Sequence, residues 1–266
     1  MLKDQMEFLR KFSGFRSKVL ASVNLFLTTI VVDYMKMRFL VSPLLKRSSR
    51  VIVGFEKKRF VLRFPSSDFS ALNETNHKKI YDAWGSPRGV IIDAGAHIGT
   101  FTIRAGMVKG NFVYSFEPEP QNFRLLESNI RLNGLRNVRA FRRALGRRRE
   151  VRLLNVTGLS TVNPSFFGGS GKKVPVEVVT IDSMLGELKG QKVDYVKIDV
   201  EGAELEVLEG ARETLKKFRP VIVLETDDIE AVMNFLKAVG YDSFNLWKSY
   251  SNMKKMNIIH CKSSGR

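Results

Sequence analysis

The sequence predicts an α/β fold in which a mostly parallel, seven-stranded sheet carries helices on both faces and closes with an antiparallel C-terminal hairpin. Three observations support this prediction. From Val90 onward, short apolar runs alternate with helical segments of about 10–15 residues, the pattern of successive β-α-β units. A glycine-bearing turn, Asp93–Gly99, directly follows the first of those runs. The last two strand-like runs, Ser243–Trp247 and Met256–Cys261, have no helical segment between them.

A basic extension precedes that region, so we divide the chain into an extension at residues 1–87 and a domain at residues 88–266. The extension ends at the breaker Gly85-Ser86-Pro87. Its predicted elements are a helical region over 1–50, a short β-hairpin made of Val51–Phe55 and Arg59–Phe64, and a helix over 68–84.

The domain has seven predicted strands and four predicted helices. The strands are Val90–Ile92, Phe112–Phe116, Val138–Ala144, Val193–Ile198, Val221–Leu224, Ser243–Trp247 and Met256–Cys261. The helices are Ile98–Val108, Glu119–Asn133, Ala203–Lys217 and Ile229–Val239. Gly134 and Gly240 directly follow two of these helices, as C-terminal stops do. Residues 146–182 form an insertion, for which we expect an extra β-element and a loop near the site.

The composition fits a folded domain in a reducing compartment. Of the 266 residues, 44% are apolar, which argues against global disorder. The single cysteine, Cys261, permits no disulfide within the chain, and this suits the cytosol. We therefore expect a cytoplasmic protein and leave open a peripheral contact with a membrane.

The chain is strongly basic, with a formal net charge of +17. Residues 1–63 contain 14 Lys/Arg and 4 Asp/Glu, so more than half of the excess lies in the N-terminal region. Seven arginines also fall within residues 139–152. An excess of this kind fits an anionic partner, such as a membrane surface, an acidic glycan or nucleic acid, and fits general solubility equally well.

The run Val19–Val32 is the most apolar part of the N-terminal region. It has 14 residues, whereas a membrane-spanning helix needs roughly 20. No small-residue cleavage site follows it, as a signal peptide would require. We interpret it as an amphipathic or packing helix and keep membrane-surface contact as an alternative.

The turn Asp93–Gly99 is the first candidate for a ligand site. Gly95 permits a tight turn and a close approach of ligand to backbone, and the following helix directs its first amides toward the crevice. The spacing G-x-x-x-G differs from the G-x-G-x-x-G dinucleotide fingerprint. A carboxylate at Asp93 suits an ammonium group better than a pyrophosphate. A plain strand–turn–helix glycine is the alternative interpretation.

Glu117 strengthens the case for a nucleoside site. It lies 24 residues after Asp93, at the tip of the second predicted strand. An acidic residue at this place can accept hydrogen bonds from both ribose hydroxyls. A carboxylate stabilised by the dipole of the next helix is the alternative. The turn and Glu117 together are much more specific than either alone.

At these residues the sequence resembles the class I S-adenosylmethionine-dependent methyltransferases, which have a Rossmann-like fold. Residues 197–204, K-I-D-V-E-G-A-E, closely resemble the K-I-D-V-E-G-x-E signature of the FkbM family. The resemblance covers about residues 88–226 and includes four further segments: Phe116–Pro118, Ala144–Gly146, Leu205–Ala211 and Arg219–Ile222.

This resemblance implies methyl transfer from S-adenosylmethionine, mainly to hydroxyl oxygens of sugars or natural products. Matched by position, three residues would hold the methionine part of the cofactor: Asp93, Gly95 and Gly99. Glu117 would hold the ribose. The residues bordering the adenine would be Phe116, Pro118, Arg143 and Ala144. Asp199 and Glu201 would lie on the substrate side of the sulfonium. His97 departs from the family pattern, because Asn is usual there in D-x-G-A-N-x-G.

Transfer to a hydroxyl also requires removal of its proton. The candidates for the proton acceptor are Asp199, Glu201 and His97, although a polar structural role is favoured for His97. Glu204 is expected to be a helix N-terminal charge. Lys197 shares the strand face of Asp199, and we expect it to be solvated or snorkelling. No further ligand cluster accompanies these acids, so we expect no metal ion.

The pair Ser160-Thr161 matches a short Ser/Thr element seen in many members of the family. It is interpreted either as a hydrogen-bonding element for cofactor or substrate, or as a simple turn.

The leading hypothesis is therefore an O-methyltransferase acting on a hydroxyl of a glycan, a lipid-linked sugar or a small metabolite. An RNA methyltransferase is an alternative that the basic charge supports. Against it, the sequence has no separate RNA-binding module, catalytic cysteine or N-P-P-Y-type tetrad. A non-catalytic protein of the same fold that binds membranes or acidic polymers through residues 1–63 is a third hypothesis.

Overall fold

The computed structural model describes residues 2–25, 49–64, 66–82, 85–156, 172–188, 190–251 and 254–264. The elements of the N-terminal region are α1 (Leu2–Arg10), β1 (Phe12–Ser13), α2 (Phe15–Leu25), β2 (Ser49–Phe55), β3 (Lys58–Phe64), α3 (Asp68–Leu72) and a π-helix (Asn73–Lys78). Strands β1, β2 and β3 form a small antiparallel sheet in that order.

The remaining elements alternate as the sequence predicts. The strands are β4 (Val90–Ala94), β5 (Phe112–Phe116), β6 (Val138–Phe141), β7 (Ala144–Leu145), β8 (Glu150–Val156), β9 (Lys172–Val179), β10 (Tyr195–Ile198), β11 (Val221–Glu225), β12 (Ser243–Ser251) and β13 (Lys254–Lys262). The helices are α4 (Thr100–Gly106), α5 (Pro120–Leu132), α6 (Glu204–Glu209), α7 (Arg212–Phe218) and α8 (Ile229–Ala238), with a 3₁₀ turn at Asp182–Met184.

The central sheet has seven strands in the order β12-β13-β11-β10-β4-β5-β6. Strand β4 pairs in parallel with β5 on one side and with β10 on the other. Strand β5 in turn pairs in parallel with β6, and β10 pairs in parallel with β11. Strand β13 is antiparallel to both of its neighbours and is the one reversed strand of this sheet. The prediction of a mostly parallel seven-stranded sheet with an antiparallel C-terminal hairpin is confirmed.

Both faces of the sheet are covered, because successive side chains of a strand point to opposite sides. Ile92 and Val196 belong to a core that includes Val207 of α6, Leu215 of α7 and Leu236 of α8. The alternate strand positions belong to a second core, on the other face, with α4; its members include Ile91, Val113, Tyr195 and Phe101. This confirms a Rossmann-like layering of helices on a buried parallel sheet.

Three predicted elements are wrong in detail. The helix expected over 68–84 is replaced by the short α3 and the π-helix, which ends where Lys79 adopts a left-handed φ of 54°. The strand expected over 138–144 divides, and Ala144 pairs with β9 in a different sheet. The helix expected over 203–217 breaks at Gly210, where a Cβ would lie 2.0 Å from the Gly146 carbonyl oxygen.

The insertion contains the extra β-element that the sequence predicts. Strands β7, β9 and β8 form a three-stranded sheet beside the main one. Residues 157–171, which include Ser160-Thr161 and the loop expected from the sequence, lie outside the described residues, as does the part of the Val19–Val32 run after Leu25. No helix within the described ranges is long and apolar enough to cross a membrane.

The N-terminal region packs on the domain through an aromatic core. Its buried rings are Phe8, Phe12, Phe55, Phe60 and Phe69, and they share one cluster with Ile98, Ile103 and Leu125 of the domain. The described residues before 82 therefore contribute to the same packed body as the turn after β4. The exact boundary between extension and domain, placed at 87/88 from the sequence, stays a prediction.

Side chains complete the free edge of β3. The carboxamide of Asn133 accepts from Arg59 N (3.0 Å) and donates to Arg59 O (2.7 Å). Two residues along, the carboxamide of Asn129 accepts from Val61 N (2.6 Å), donates to Val61 O (3.3 Å) and donates to Ile98 O (2.8 Å). Asn129 lies in the last turns of α5 and Asn133 caps its C-terminus, and together they act as a substitute for a neighbouring strand. An edge completed in this way is no longer open to pairing with another chain.

This arrangement makes a prediction about stability. Asn129 is fully buried, so Asn129→Ala leaves the amide and carbonyl of Val61 and the carbonyl of Ile98 without these partners. We expect a loss of about 2–4 kcal/mol in the free energy of unfolding, measured by urea denaturation. Asn133→Ala is the matched control, because water can replace its exposed hydrogen bonds. For this variant we expect a loss of about 1 kcal/mol or less in the free energy of unfolding. Equal losses for the two variants would contradict the role given to Asn129.

Candidate active site

The carboxyl ends of three neighbouring strands lie at the same level of the sheet. Ala94 at the end of β4 pairs with Ile198 at the end of β10 and with Phe116 at the end of β5. The loops that follow these residues therefore meet at one edge. The strand order also reverses here. Strands β5 and β6 lie on one side of β4, whereas β10 and β11 lie on its other side. Ligands of open parallel sheets bind at such a switch point.

The loop after β4 and the loop after β10 cross at Gly95. Its φ is +75°, and a Cβ there would lie 1.8 Å from the carbonyl oxygen of Asp199. The amide of Asp199 donates to Ala94 O (3.1 Å), and the amides of Gly95 and Ala96 donate to Phe116 O (both 3.0 Å). No side chain fits at residue 95, so glycine is required by space as well as by conformation.

Every second residue of this loop has a positive φ: 75° at Gly95, 53° at His97 and 91° at Gly99. His97 is not a glycine, but histidine and asparagine both tolerate the left-handed region better than most residues. The resemblance gives asparagine at this position, and His97 meets the same backbone requirement. Its amide donates to Glu117 Oε2 over 2.8 Å, which holds the loop against the tip of β5.

Glu117 lies where the sequence predicts, and it is 3% exposed. Its Oε1 accepts from Glu119 N (2.9 Å) and its Oε2 from His97 N (2.8 Å). Burial raises the pKa of Glu117 to about 7, although both backbone N–H groups act to lower it. The Asn122 side chain is a further hydrogen-bond partner that lowers the pKa, and a carboxylate with about four acceptor positions still has capacity for another donor.

Lys197 is the cation at the centre of this edge. Its Nζ lies 3.1 Å from Asp93 Oδ1 and 3.5 Å from Asp199 Oδ2, and it donates to Gly95 O over 2.7 Å. Burial acts to lower the pKa of Lys197, but Asp93 and Asp199 raise it and prevail, so the side chain stays an ammonium. Because Lys197 is only 3% exposed, the expectation of a solvated or snorkelling lysine is wrong.

Asp93 is fully buried beneath the loop. Besides the ion pair with Lys197, its Oδ2 accepts from Thr102 Oγ1 over 2.6 Å. The resemblance assigns Asp93 to the methionine part of a cofactor, which stays a prediction. The structure places a lysine ammonium against this carboxylate, and a buried carboxylate needs such a partner.

Asp199 follows β10 and remains partly accessible, with 30% of its side chain exposed. Its Oδ2 accepts from the Tyr81 hydroxyl over 3.0 Å. Tyr81 is buried, and its own carbonyl accepts from the Tyr195 hydroxyl. No hydrogen bond within the described part of the chain occupies Asp199 Oδ1, so this oxygen keeps its acceptor capacity.

The His97 side chain meets a buried ion pair from the N-terminal region. Arg63 and Asp68 form a bidentate pair, with 2.9 Å from Nε to Oδ2 and 2.5 Å from Nη2 to Oδ1. Arg63 Nη2 lies 3.1 Å from His97 Nε2. A guanidinium only donates, so Nε2 accepts and the proton of the neutral ring is on Nδ1. Burial lowers the pKa of His97 to about 4. The charge of Asp68 acts to raise this pKa, and the charge of Arg63 acts to lower it.

Glu201 lies in the loop between β10 and α6 and is half-buried, with a left-handed φ of 56°. Gly202 follows with a φ of 103°, and its amide donates to Glu204 Oε1 over 2.8 Å. Glu204 is thus used at the start of α6, as expected from the sequence. Glu201 is close in the chain to Asp199 but belongs to the turn rather than to the strand end.

The residues predicted near an adenine lie at the end of β5 and after it. The Phe116 ring is buried and stacks on Phe141, with centroids 5.0 Å apart, and Pro118 is half-buried next to it. Ala144 is buried in β7, whereas the Arg143 Nε donates to Glu177 Oε2 of β9 over 2.8 Å. Arg143 is thus engaged by the small sheet.

Sequence reasoning missed the residues that the N-terminal region contributes: Arg63, Asp68 and Tyr81. It also missed the burial of Lys197. The only available signal was the shared strand face of Lys197 and Asp199. A metal site was not expected, and among the described residues no group of three or more His, Cys, Asp or Glu side chains has a metal-binding arrangement.

Comparison with known proteins gives a consistent picture. The family model of the methyltransferase FkbM domain matches residues 93–243, more than half of the chain. Methyltransferase sdnD of Sordaria araneosa is 31% identical over 189 residues, covering 57% of this chain and 71% of that protein. Hexuronic acid methyltransferase AglP of Haloferax volcanii is 31% identical over 142 residues, covering 50% of this chain and 54% of that protein. The chain spans 62% of a third relative, Methyltransferase 1 of Beauveria bassiana, at 30% identity.

Solved structures agree on the fold. The methyltransferase FkbM of Methylobacillus flagellatus superposes with a TM-score of 0.50 at 14% identity, covering 97% of this chain and 58% of that one. The TYW2 protein of M. jannaschii, solved in complex with AdoMet, gives a TM-score of 0.51 at 17% identity, covering 80% and 86%. At these identities the likeness establishes the shared fold.

The Lys197 cluster generates a test by double mutation. Lys197→Met leaves Asp93 buried without its cation, and we expect a loss of about 3–5 kcal/mol in the free energy of unfolding, measured by urea denaturation. In the Asp93→Asn/Lys197→Met double variant both charges are removed, so the loss should be clearly smaller than the sum of the two single losses. Lys192→Met is the matched control, because 57% of that side chain is exposed. Strictly additive losses would contradict the ion pair.

Proposed function

The chain belongs to the FkbM methyltransferase family, and from this premise we propose that it transfers the methyl group of S-adenosylmethionine to a hydroxyl oxygen of a sugar or another small hydroxylated acceptor. The observation that supports this most directly is the 2.8 Å bond from His97 N to Glu117 Oε2. It holds the tight turn after the first strand against the acidic tip of the second, and a nucleoside site at such a switch point uses both features.

The residues present fit the cofactor. Glu117 would accept from a ribose hydroxyl with the acceptor capacity that its bonds to His97 N, Glu119 N and the Asn122 side chain leave. The Gly95–Gly99 loop would lie along the methionine part, and Phe116 and Pro118 would border the adenine. The TYW2 protein of the same fold was solved with AdoMet, which supports a cofactor of this type. Bound S-adenosylmethionine supplies an electrophilic methyl group on a sulfonium.

Asp199 is the group we assign to the acceptor. Its Oδ2 is fixed by the Tyr81 hydroxyl and lies near the Lys197 ammonium, so the carboxylate cannot rotate freely. Its Oδ1 is available to accept the hydroxyl proton of the acceptor and to orient that oxygen. Glu201 remains a second candidate on the adjacent turn.

His97 fits a structural role better than that of a base. The lone pair on Nε2 is used by Arg63, and a pKa of about 4 makes the ring a weak proton acceptor at neutral pH. The backbone of His97 occupies a left-handed position, and its imidazole contacts the buried Arg63–Asp68 pair. We therefore propose that it fills the place of the asparagine usual in the family.

The acceptor class is proposed from chemistry and from one relative. A hexuronic acid is both a polyol and a carboxylate, and a chain of net charge +17 attracts anionic sugars. A screen with radiolabelled S-adenosylmethionine over uronic acid glycans, neutral glycans and RNA tests this. We expect label in a glycan fraction; label only in RNA would favour an RNA methyltransferase, and no label with intact cofactor binding would favour a non-catalytic role.

Cofactor binding should depend on pH through Glu117. We expect micromolar affinity, about −8 kcal/mol, by calorimetry. The free carboxyl holds its proton up to a pKa of about 7, whereas ribose hydroxyls donate best to the carboxylate. Below pH 7, binding must therefore release the proton of Glu117. Cofactor affinity should fall by up to about tenfold for each pH unit below 7 and level off above pH 8.

The control is Glu117→Gln, which should bind the cofactor about 1–3 kcal/mol more weakly at pH 8 and lack this pH dependence. A wild-type slope in that variant would contradict the assignment, and absence of binding would contradict the function.

The proton acceptor is tested by variants of the three candidates. Asp199→Asn should slow single-turnover methyl transfer by about 10²–10⁴-fold while calorimetry shows cofactor affinity largely kept. Glu201→Gln should slow the reaction by a comparable factor only if that side chain also reaches the acceptor. His97→Asn restores the family-typical residue and should be nearly neutral. If both carboxylate variants keep wild-type rates while His97→Asn loses activity, His97 is the base.

A further inference from the structure

Helix α2 leaves three of its larger apolar side chains exposed and buries two polar ones. Its apolar residues Phe15, Val19 and Val23 are 85%, 42% and 41% exposed, whereas the polar residues Ser17 and Asn24 are buried. The exposed apolar residues are four apart, so they form one stripe along the helix. A surface helix normally turns its largest apolar side chains toward the core, whereas here the side facing the protein combines Ser17 and Asn24 with Ala21 and Leu20, and the stripe faces outward.

Hydrogen bonds fix this orientation. The Asn24 carboxamide donates to Ser66 O (3.1 Å) and accepts from Ser66 N (2.9 Å), and Ser17 Oγ accepts from Gly54 N (3.1 Å). Ala21, 1% exposed, packs between these two contacts on the same side. Rotating the helix to bury the stripe would break all three bonds. The outward orientation of the stripe is thus specified by the fold.

Basic residues flank the stripe. At about 100° per residue, Arg16 lies to one side of Phe15 and Lys18 to the other, and both are exposed. The helix contains no acidic residue. An apolar centre with a cation on each side suits the boundary of an anionic bilayer, where long basic side chains reach the phosphates and the apolar side chains enter the acyl region.

We propose that α2 docks on an anionic lipid surface through Phe15, Val19 and Val23, with Arg16 and Lys18 at the level of the lipid phosphates. A nucleic acid would neutralise the two cations but would leave the apolar stripe against a polar backbone. The described part of the helix, 11 residues and about 16 Å long by about 10 Å wide, offers a partner roughly 160 Å², far less than the roughly 800 Å² that each side of a stable protein interface buries. Docking does not depend on the proposed methyl transfer.

The test is cosedimentation of the full chain with vesicles of phosphatidylcholine, with or without about one third phosphatidylglycerol. We expect the wild type to bind the anionic vesicles. The triple variant Phe15→Gln/Val19→Gln/Val23→Gln should lower the partition coefficient at least about tenfold. Arg16→Gln/Lys18→Gln should lower it about 25-fold on anionic vesicles and leave neutral vesicles unaffected.

Two matched pairs elsewhere on the surface serve as controls. Val151 and Leu153 are 72% and 53% exposed on β8, so Val151→Gln/Leu153→Gln removes apolar surface of similar size. Arg136 and Arg139 are exposed, so Arg136→Gln/Arg139→Gln removes two positive charges without changing α2. Both control pairs should bind vesicles as the wild type does. All variants should keep the wild-type melting temperature and cofactor affinity, which separates docking from folding and from the proposed function.

Four results would overturn the proposal. The first is a wild type that does not pellet with anionic vesicles. The second is a loss of binding in the control variants equal to that in the α2 variants. The third is a triple variant that dissociates a dimer while vesicle binding stays intact, which would make the stripe an interface between two copies. The fourth is loss of RNA binding in the α2 variants with vesicle binding unchanged, which would assign the helix to nucleic acid.

Discussion

The active-site edge depends on the buried ammonium of Lys197. Asp93 lies one residue before the end of β4 and Asp199 directly follows the adjacent β10, and the Lys197 Nζ lies 3.1 Å from the first carboxylate and 3.5 Å from the second. The same ammonium donates to Gly95 O, so it links the end of β10 to the loop after β4. Gly95 allows this link because it has no Cβ to collide with the Asp199 carbonyl. One cation therefore sets both the charge and the backbone geometry from which the proposed cofactor site is built.

The N-terminal region completes the site from the opposite side. Tyr81 fixes Asp199 Oδ2, and the Arg63–Asp68 pair contacts the His97 ring. Asn129 of α5 and the adjacent Asn133 bind the free edge of β3, and this holds the N-terminal region in place. Helix α5 itself follows the loop that carries Glu117, so the same helix is joined to both parts of the site. The chain thus uses residues before the family-matched segment to position residues within it. A truncation that removes the β2–β3 hairpin would affect the site even though the matched segment starts at residue 93.

The sequence was sufficient to predict the elements that depend on local pattern. Strand and helix alternation gave the sheet, and the ends of strands placed Gly95, Glu117 and Asp199 at one edge. It was not sufficient where the cause is a contact between distant segments. Lys197 is buried because Asp93 lies opposite, 104 residues earlier, and a lysine on a strand is equally compatible with solvent. The break between α6 and α7 follows from Gly210 packing on the Gly146 carbonyl, which no periodicity reveals. Tyr81 follows a π-helix, where an ordinary helix was expected.

The distribution of charges at the site also explains which groups are left for chemistry. Two cations are committed to structure, Lys197 by Asp93 and Arg63 by Asp68, and each pair is buried. The His97 lone pair is taken by Arg63. Among the described residues, the proposed assignment leaves Glu117 to the cofactor and Asp199 Oδ1 to the acceptor, with Glu201 as the second candidate on the adjacent turn. Methyl transfer asks little more of a protein than a fixed nucleoside and an oriented acceptor oxygen, since positioning supplies most of the rate enhancement. A site that uses its other charges to hold the backbone rigid, and leaves one acid for each of these two tasks, suits that requirement.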